Sequence, residues 1–232
     1  MGIHARIFAA MYDSFMSKAE RELLGDLRRT QLSVAYGDVL EIGAGTGANL
    51  PAYGTDVRTL TLTEPQQPML KRLQRRVDAA GLPIPVTVLR APAEDLPFDD
   101  DTFDTVVSTL VLCGTTDQQL ALRQICRVLR PGGNLLFVEH VRYDDSRRAR
   151  HQDRMNWLNR LLVCCDCNRP TLSSIRDAGF TTNDVQALAM PHAPSFVGPV
   201  LAGTATSPTA NERPLSRTGG ELRRRTDLDQ RA

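Results

Sequence analysis

The residues best suited to chemistry form one run, Glu41-Ile42-Gly43-Ala44-Gly45-Thr46-Gly47, which overlaps the end of the apolar strand pattern Val39-Leu40-Glu41-Ile42. Glycines at alternate positions let the backbone turn sharply and approach a ligand closely, because no Cβ intervenes. Dinucleotide-binding turns use the spacing G-x-G-x-x-G and seat a pyrophosphate on the following helix. Here the spacing is G-x-G-x-G, and Glu41 stands two positions ahead of the first glycine. That acid would repel a pyrophosphate and suits a ligand carrying an amine, which disfavours a nicotinamide-dependent oxidoreductase. Ala48-Asn49-Leu50 is expected to open a helix whose amides face the same ligand.

Glu64 ends a second strand pattern about twenty residues later, where a carboxylate can accept hydrogen bonds from ribose hydroxyls. The plainer reading is an exposed acid at a strand end. After a third strand, Ala93-Glu94-Asp95 follows, and Asp95 can accept from an exocyclic adenine amine. Taken together, these acids describe a nucleoside with an amine-bearing tail and no required phosphate. His140 closes the apolar run Asn134–His140 and has an unperturbed pKa suited to accepting a proton near neutrality. A histidine hydrogen-bonded to a loop backbone would look the same. Cys113 follows the fourth strand and fits a small pocket wall better than a nucleophile.

These residues need a scaffold, and the periodicities supply one. Strand patterns at Val39–Ile42, Val57–Thr63, Val86–Leu89, Phe103–Ser108 and Asn134–His140 alternate with helical patterns at Pro68–Ala80 and Gln118–Leu129. The first of these helices stops at Gly81 and the second at Pro131-Gly132-Gly133. Strands taking turns with helices of this length imply βαβ units and a parallel sheet covered on both faces. Later patterns place helices around Met155–Val163 and Thr171–Ala178, then a last strand pair at Val185–Leu188 and Val197–Ala205. The expectation is an α/β, Rossmann-like doubly wound sheet of seven strands, mostly parallel with one antiparallel strand. Residues 1–36 read as an N-terminal helical lid, 37–205 as the main domain and 206–232 as a disordered polar tail. Phe8, Met11, Phe15 and Trp157 suit either a lid over an acceptor or ordinary helix-face core.

The chain has 232 residues, 41% of them hydrophobic and 24% charged, with formal net charge +1. That balance argues against a general attraction to nucleic acid. Positive charge is carried almost wholly by Arg, with Lys18 and Lys71 the only lysines and neither near another chemical signal, so Schiff-base chemistry is disfavoured. Five cysteines and no secretory pattern fit a reducing compartment. Cys164-Cys165-Asp166-Cys167 invites a metal, but no distant second pair of ligands exists and the four histidines are scattered, so no metal is expected. No apolar stretch is long enough to span a bilayer. Surface contact of the N-terminal segment with a membrane stays open, as does the oligomeric state.

Four segments, Val39–Leu50, Thr61–Pro65, Ala91–Thr109 and Ile125–His140, resemble in order the class I S-adenosylmethionine-dependent methyltransferases of the ubiquinone/menaquinone-biosynthesis type. The resemblance implies S-adenosyl-L-methionine as cofactor. Gly43, Ala44, Gly45, Thr46 and Gly47 would frame its methionine part, with Glu41 beside them. Glu64 and Pro65 would hold the ribose, and Ala93, Glu94 and Asp95 would flank the adenine, with Leu110 also at the cofactor. The stretch Thr109–Val141, Met11–Glu20 and Asn168–Phe180 are similar to methyltransferase-like proteins that methylate alkyl thiols. Those proteins carry a membrane anchor not seen in this sequence, so a cytoplasmic enzyme acting on a small lipophilic acceptor is expected. A thiol is the first choice; a quinone, phenol or nitrogen heterocycle, or cofactor binding without catalysis, are the alternatives. Direct transfer needs only an in-line nucleophile and exclusion of water, with His140 as the candidate base.

Overall fold

Apolar residues along each central strand point alternately to two sides, and both sides are covered. A computed structural model describes residues 24–163, 165–189, 194 and 196–212. Its strands are β1 (Gly37–Ile42), β2 (Val57–Thr63), β3 (Val86–Leu89), β4 (Phe103–Thr109), β5 (Leu129–His140), β6 (Thr181–Ala189) and β7 (Pro199–Thr206). They form one sheet in the order β3-β2-β1-β4-β5-β7-β6. The first five strands pair in parallel, and β7 runs against both β5 and β6. This is the expected Rossmann-like sheet with one strand reversed. The chain order turns back between β1 and β4, so their carboxyl ends flank the crevice where such sheets bind ligands.

The helices are α1 (Gly25–Leu32), α2 (Gln67–Ala80), α3 (Gln118–Val128), α4 (Ser146–Val163) and α5 (Thr171–Asp177). On one face Val39, Leu60, Leu62, Val107 and Leu136 pack with Leu32 of α1 and Leu73 of α2. On the other, Leu40, Ile42, Val106, Leu135 and Phe137 pack with Leu122 and Ile125 of α3. Asp117 caps α3 by accepting the Leu120 N–H at 2.9 Å, and buried Ala121, Leu122, Ile125 and Val128 set its apolar stripe. Helix α2 ends where Gly81 adopts a left-handed conformation, φ 56°.

Several boundaries differ from the sequence reading. Ala48-Asn49-Leu50 opens no α-helix; only a three-residue 3-10 turn, Leu50–Ala52, follows the glycine loop. Pro51 supplies no N–H and Gly54 follows closely, so few residues remain to propagate a helix. Pro131-Gly132-Gly133 does not separate helix from strand. β5 already begins at Leu129, paired with Phe103, and the register shifts past the Pro-Gly-Gly step. Helix α4 starts at Ser146, nine residues earlier than its apolar pattern, because polar Gln152 and Asn159 share its buried side with Ala149. Trp157 on α4 is 61% exposed and therefore belongs to no core. The line drawn at residue 205 falls one residue short of the end of β7, and buried Ser207 donates to the Arg130 carbonyl. The lid reading of Phe8, Met11 and Phe15, and most of the tail reading, lie outside the described residues. Helix α1 itself is docked, with Gln31 Nε2 donating to the Gly203 carbonyl at 2.6 Å.

Ile125 has zero exposure under α3. Ile125→Ala is expected to cost about 2–5 kcal/mol of unfolding free energy in denaturant melts.

Candidate active site

The glycine turn takes the shape that its residues require. Gly43, Gly45 and Gly47 have φ of 55°, 58° and 85°, values that a side chain rarely adopts. A Cβ on Gly43 would meet Val111 at 2.7 Å, and one on Gly47 would meet Leu50 at 2.9 Å. At Gly45 nothing stands closer than the Gly43 carbonyl at 4.0 Å, so the mouth of the turn is open. Glu64 straps the turn to β2 by accepting the Gly45 N–H at 3.0 Å, while its other oxygen accepts the Gln66 N–H at 2.8 Å. Burial raises the Glu64 carboxyl above its ordinary range.

Glu41 does not present a free carboxylate to an amine, contrary to the sequence reading. It is buried, one oxygen accepting from Asn49 Nδ2 at 2.9 Å and the other from the Tyr53 hydroxyl at 2.6 Å. Asn49 in turn accepts from Arg28 of α1 at 2.6 Å. Burial pushes the Glu41 carboxyl up to about 7, against the lowering effect of Tyr53, Arg28 and Asn49. Glu94 is occupied elsewhere as well, accepting the Thr116 N–H at 2.7 Å ahead of α3. Asp95 is exposed.

Across the crevice lies a residue to which sequence reasoning gave no role. Glu139, at zero exposure, accepts from Ser108 Oγ at 2.6 Å and from the N–H groups of Val111, Leu112 and Cys113 at 3.0, 3.1 and 3.2 Å. These bonds seat the loop after β4, in which Leu110 is left-handed at φ 58°. The only sequence signal was an acid directly after the apolar run Leu135–Val138. Its neighbour His140 is buried, and its Nδ1 has no hydrogen-bond partner. Burial pulls its pKa down to about 4, so the ring is neutral at pH 7 and far less basic than its unperturbed value suggested.

Beyond this loop a cleft of about 270 Å³ is lined by Cys113, Thr115, Arg160, Cys165 and Arg169 among others. Arg169 donates to the Thr115 carbonyl at 2.6 Å and to Asp166 at 2.9 Å. Burial opposes ionisation of Asp166, but hydrogen bonds from Arg160, Arg169 and Asn156 hold it at about 2. Among the described residues no group of three His, Cys, Asp or Glu side chains is arranged to hold a metal ion. Nor is any described helix long and apolar enough to cross a membrane.

A methyltransferase domain family matches residues 40–137. The human thiol S-methyltransferase TMT1A is 30% identical over 202 residues, 85% of this chain and 82% of that protein. The chain belongs to the class I S-adenosylmethionine-dependent methyltransferases. The phosphatidylethanolamine N-methyltransferase of Cereibacter sphaeroides is 32% identical over 158 residues, 64% of this chain and 75% of that protein. The crystal structure of an S-adenosylmethionine-dependent methyltransferase from Mesorhizobium loti superposes with a TM-score of 0.57 at 18% identity, covering 81% of this chain and 97% of that one. Family and fold imply use of S-adenosylmethionine. The open mouth at Gly45, bordered by the Glu64 carboxylate, fits such a ligand.

In this methyltransferase Glu41 and His140 act on stability in opposite directions. Glu41 titrates near 4.5 when unfolded and about 7 when folded. The folded chain therefore holds the extra proton between these values, and rising pH removes on the order of 3 kcal/mol of stability. His140 moves from 6.5 to about 4, so the unfolded chain holds the extra proton and rising pH adds stability across that window. Relative to wild type, Glu41→Gln is expected to gain stability as pH rises from 4.5 to 7. His140→Asn is expected to gain as pH falls from 6.5 to 4. Denaturant melts across pH 4–7.5 check both; curves parallel to wild type would contradict the burial argument.

Proposed function

We propose that this methyltransferase transfers a methyl group to the sulfur of a small lipophilic thiol. The observation that carries this reading is the reach of the similarity to the thiol S-methyltransferase TMT1A. It covers 82% of that protein, well beyond the cofactor core at residues 40–137. Acceptor choice belongs to the site grafted on the fold rather than to the fold itself. Similarity outside the core is therefore what bears on the acceptor. Alternatives are a nitrogen, oxygen or carbon acceptor, the first favoured by the similarity to an N-methyltransferase, or cofactor binding without transfer.

On this reading Gly43, Ala44, Gly45, Thr46 and Gly47 frame the methionine part of the cofactor. Glu64 with Pro65 takes the ribose, Ala93 and Asp95 border the adenine, and Leu110 faces the cofactor from the β4 loop. Glu41 and Glu94 act from beneath, holding the loops in shape. When bound, S-adenosylmethionine supplies a sulfonium-activated methyl carbon, and the protein needs to align the acceptor and exclude water. A histidine with a pKa of about 4 is a poor proton sink for a thiol near 8.5. His140, with its Nδ1 buried and unpartnered, therefore stays a neutral group behind the site rather than its base. The thiolate then forms through the acceptor's own ionisation.

Gly45→Arg and Glu64→Ala are expected to lower calorimetric affinity for S-adenosylmethionine at least about tenfold, a cost near 1.4 kcal/mol; unchanged affinity in both would reject the cofactor assignment. With a panel of thiol, phenol and amine acceptors, product mass should show methylation of the thiols. For those thiols kcat/KM should climb about tenfold per pH unit below the acceptor's own pKa, with no inflection near 6.5. Methylation of amines alone would move the assignment to nitrogen.

A further inference from the structure

Direct methyl transfer needs no covalent enzyme intermediate, so it leaves a cluster of three sulfurs without a role. Cys113 sits on the loop after β4, and Cys165 and Cys167 follow α4; all three are buried together against Val197. Cys165 is central. Its Sγ lies 3.6 Å from that of Cys167, and it shares a buried cluster and a cleft wall with Cys113. The two backbones are already joined beside it, the Asp166 N–H donating to the Cys113 carbonyl at 2.8 Å. Cys113 and Cys165 both line the cleft of about 270 Å³, whereas Cys167 does not. Cys165 is also the most exposed of the three, at 8% against 1% and 0%. Arg160 and Arg169 border the same cleft, both ion-paired with Asp166.

We propose that Cys113 and Cys165 are a reversible disulfide-forming pair that reacts with small symmetrical disulfides entering this cleft and tethers the β4 loop to the segment after α4. The Cys165 thiolate attacks one sulfur of R–S–S–R, the S–S bond breaks, and the released thiolate takes up a proton, leaving Cys165 in a mixed disulfide. Cys113 Sγ then attacks Cys165 Sγ and expels the second R–S⁻, which takes the Cys113 proton. Two protein thiols are oxidised and one small disulfide is reduced to two thiols. The two Sγ atoms must close to about 2.05 Å. A contact from Cys165 works to lower the Cys113 thiol, but burial and the Glu139 charge leave it raised. The contacts with Cys113 and Cys167, together with burial, raise Cys165 as well. Exchange is therefore slow at neutral pH and speeds up about tenfold per pH unit.

The test treats the full chain with glutathione disulfide at pH 7 and pH 9, then applies intact mass, alkylation and peptide mapping. The expected result is a loss of about 2 Da, a Cys113–Cys165 linked peptide, and a melting midpoint higher by roughly 5–15 °C that dithiothreitol reverses. Cys167→Ser should keep the linked peptide, and Cys165→Ser should leave Cys113 alkylatable under denaturing conditions. Linkage through Cys164 or Cys167, mixed disulfides alone, unreacted Cys113 and Cys165, or a lowered midpoint would each overturn the proposal.

Discussion

Taking a carboxylate fully out of water costs several kcal/mol unless its lone pairs are met by good donors, and Glu139 meets that condition with one hydroxyl and three successive backbone amides. The geometry needed to aim three adjacent N–H groups at one side chain fixes the path of the chain as it leaves β4. Leu110 must turn left-handed, and Val111 is delivered against Gly43, where any side chain would collide with it. The glycine turn after β1 and the loop after β4 are thereby held in contact across the switch point of the sheet. Glu64 performs the matching task from the other flank by holding Gly45.

What could be read from the sequence follows from what each interaction demands of side-chain identity. The glycine turn was legible because positive φ selects glycine, and the sheet because strands covered on both faces become nearly continuous apolar runs. Glu139 was not legible as a keystone, because most of its partners are amides that every non-proline residue carries. Asn49 and Tyr53 were missed for a related reason: their importance lies in meeting Glu41, which only the folded turn brings within reach. The onset of α4 was misplaced because the helix buries amides rather than hydrocarbon. Gln152 bonds the Val141 and Cys167 carbonyls, and Asn159 bonds that of Phe196.

The crevice and the cleft draw on different parts of the chain. The glycine turn, Glu64 and the loop after β4 lie within the stretch matched by the methyltransferase family, and Glu139 of β5 stands just beyond it. Residues around the cleft come partly from that stretch, through Cys113 and Thr115, and partly from beyond it, through Arg160, Cys165 and Arg169. Arg169 joins the two by bonding the Thr115 carbonyl.

Trp157, the single tryptophan of the chain, lies exposed on α4 rather than in either hydrophobic layer. An indole already in water changes its surroundings little when the core melts. Its emission is therefore a weak gauge of global unfolding and a local gauge of events on the outer face of α4. An optical titration that follows this residue would sense something settling on that helix while remaining nearly blind to the stability of the sheet beneath it.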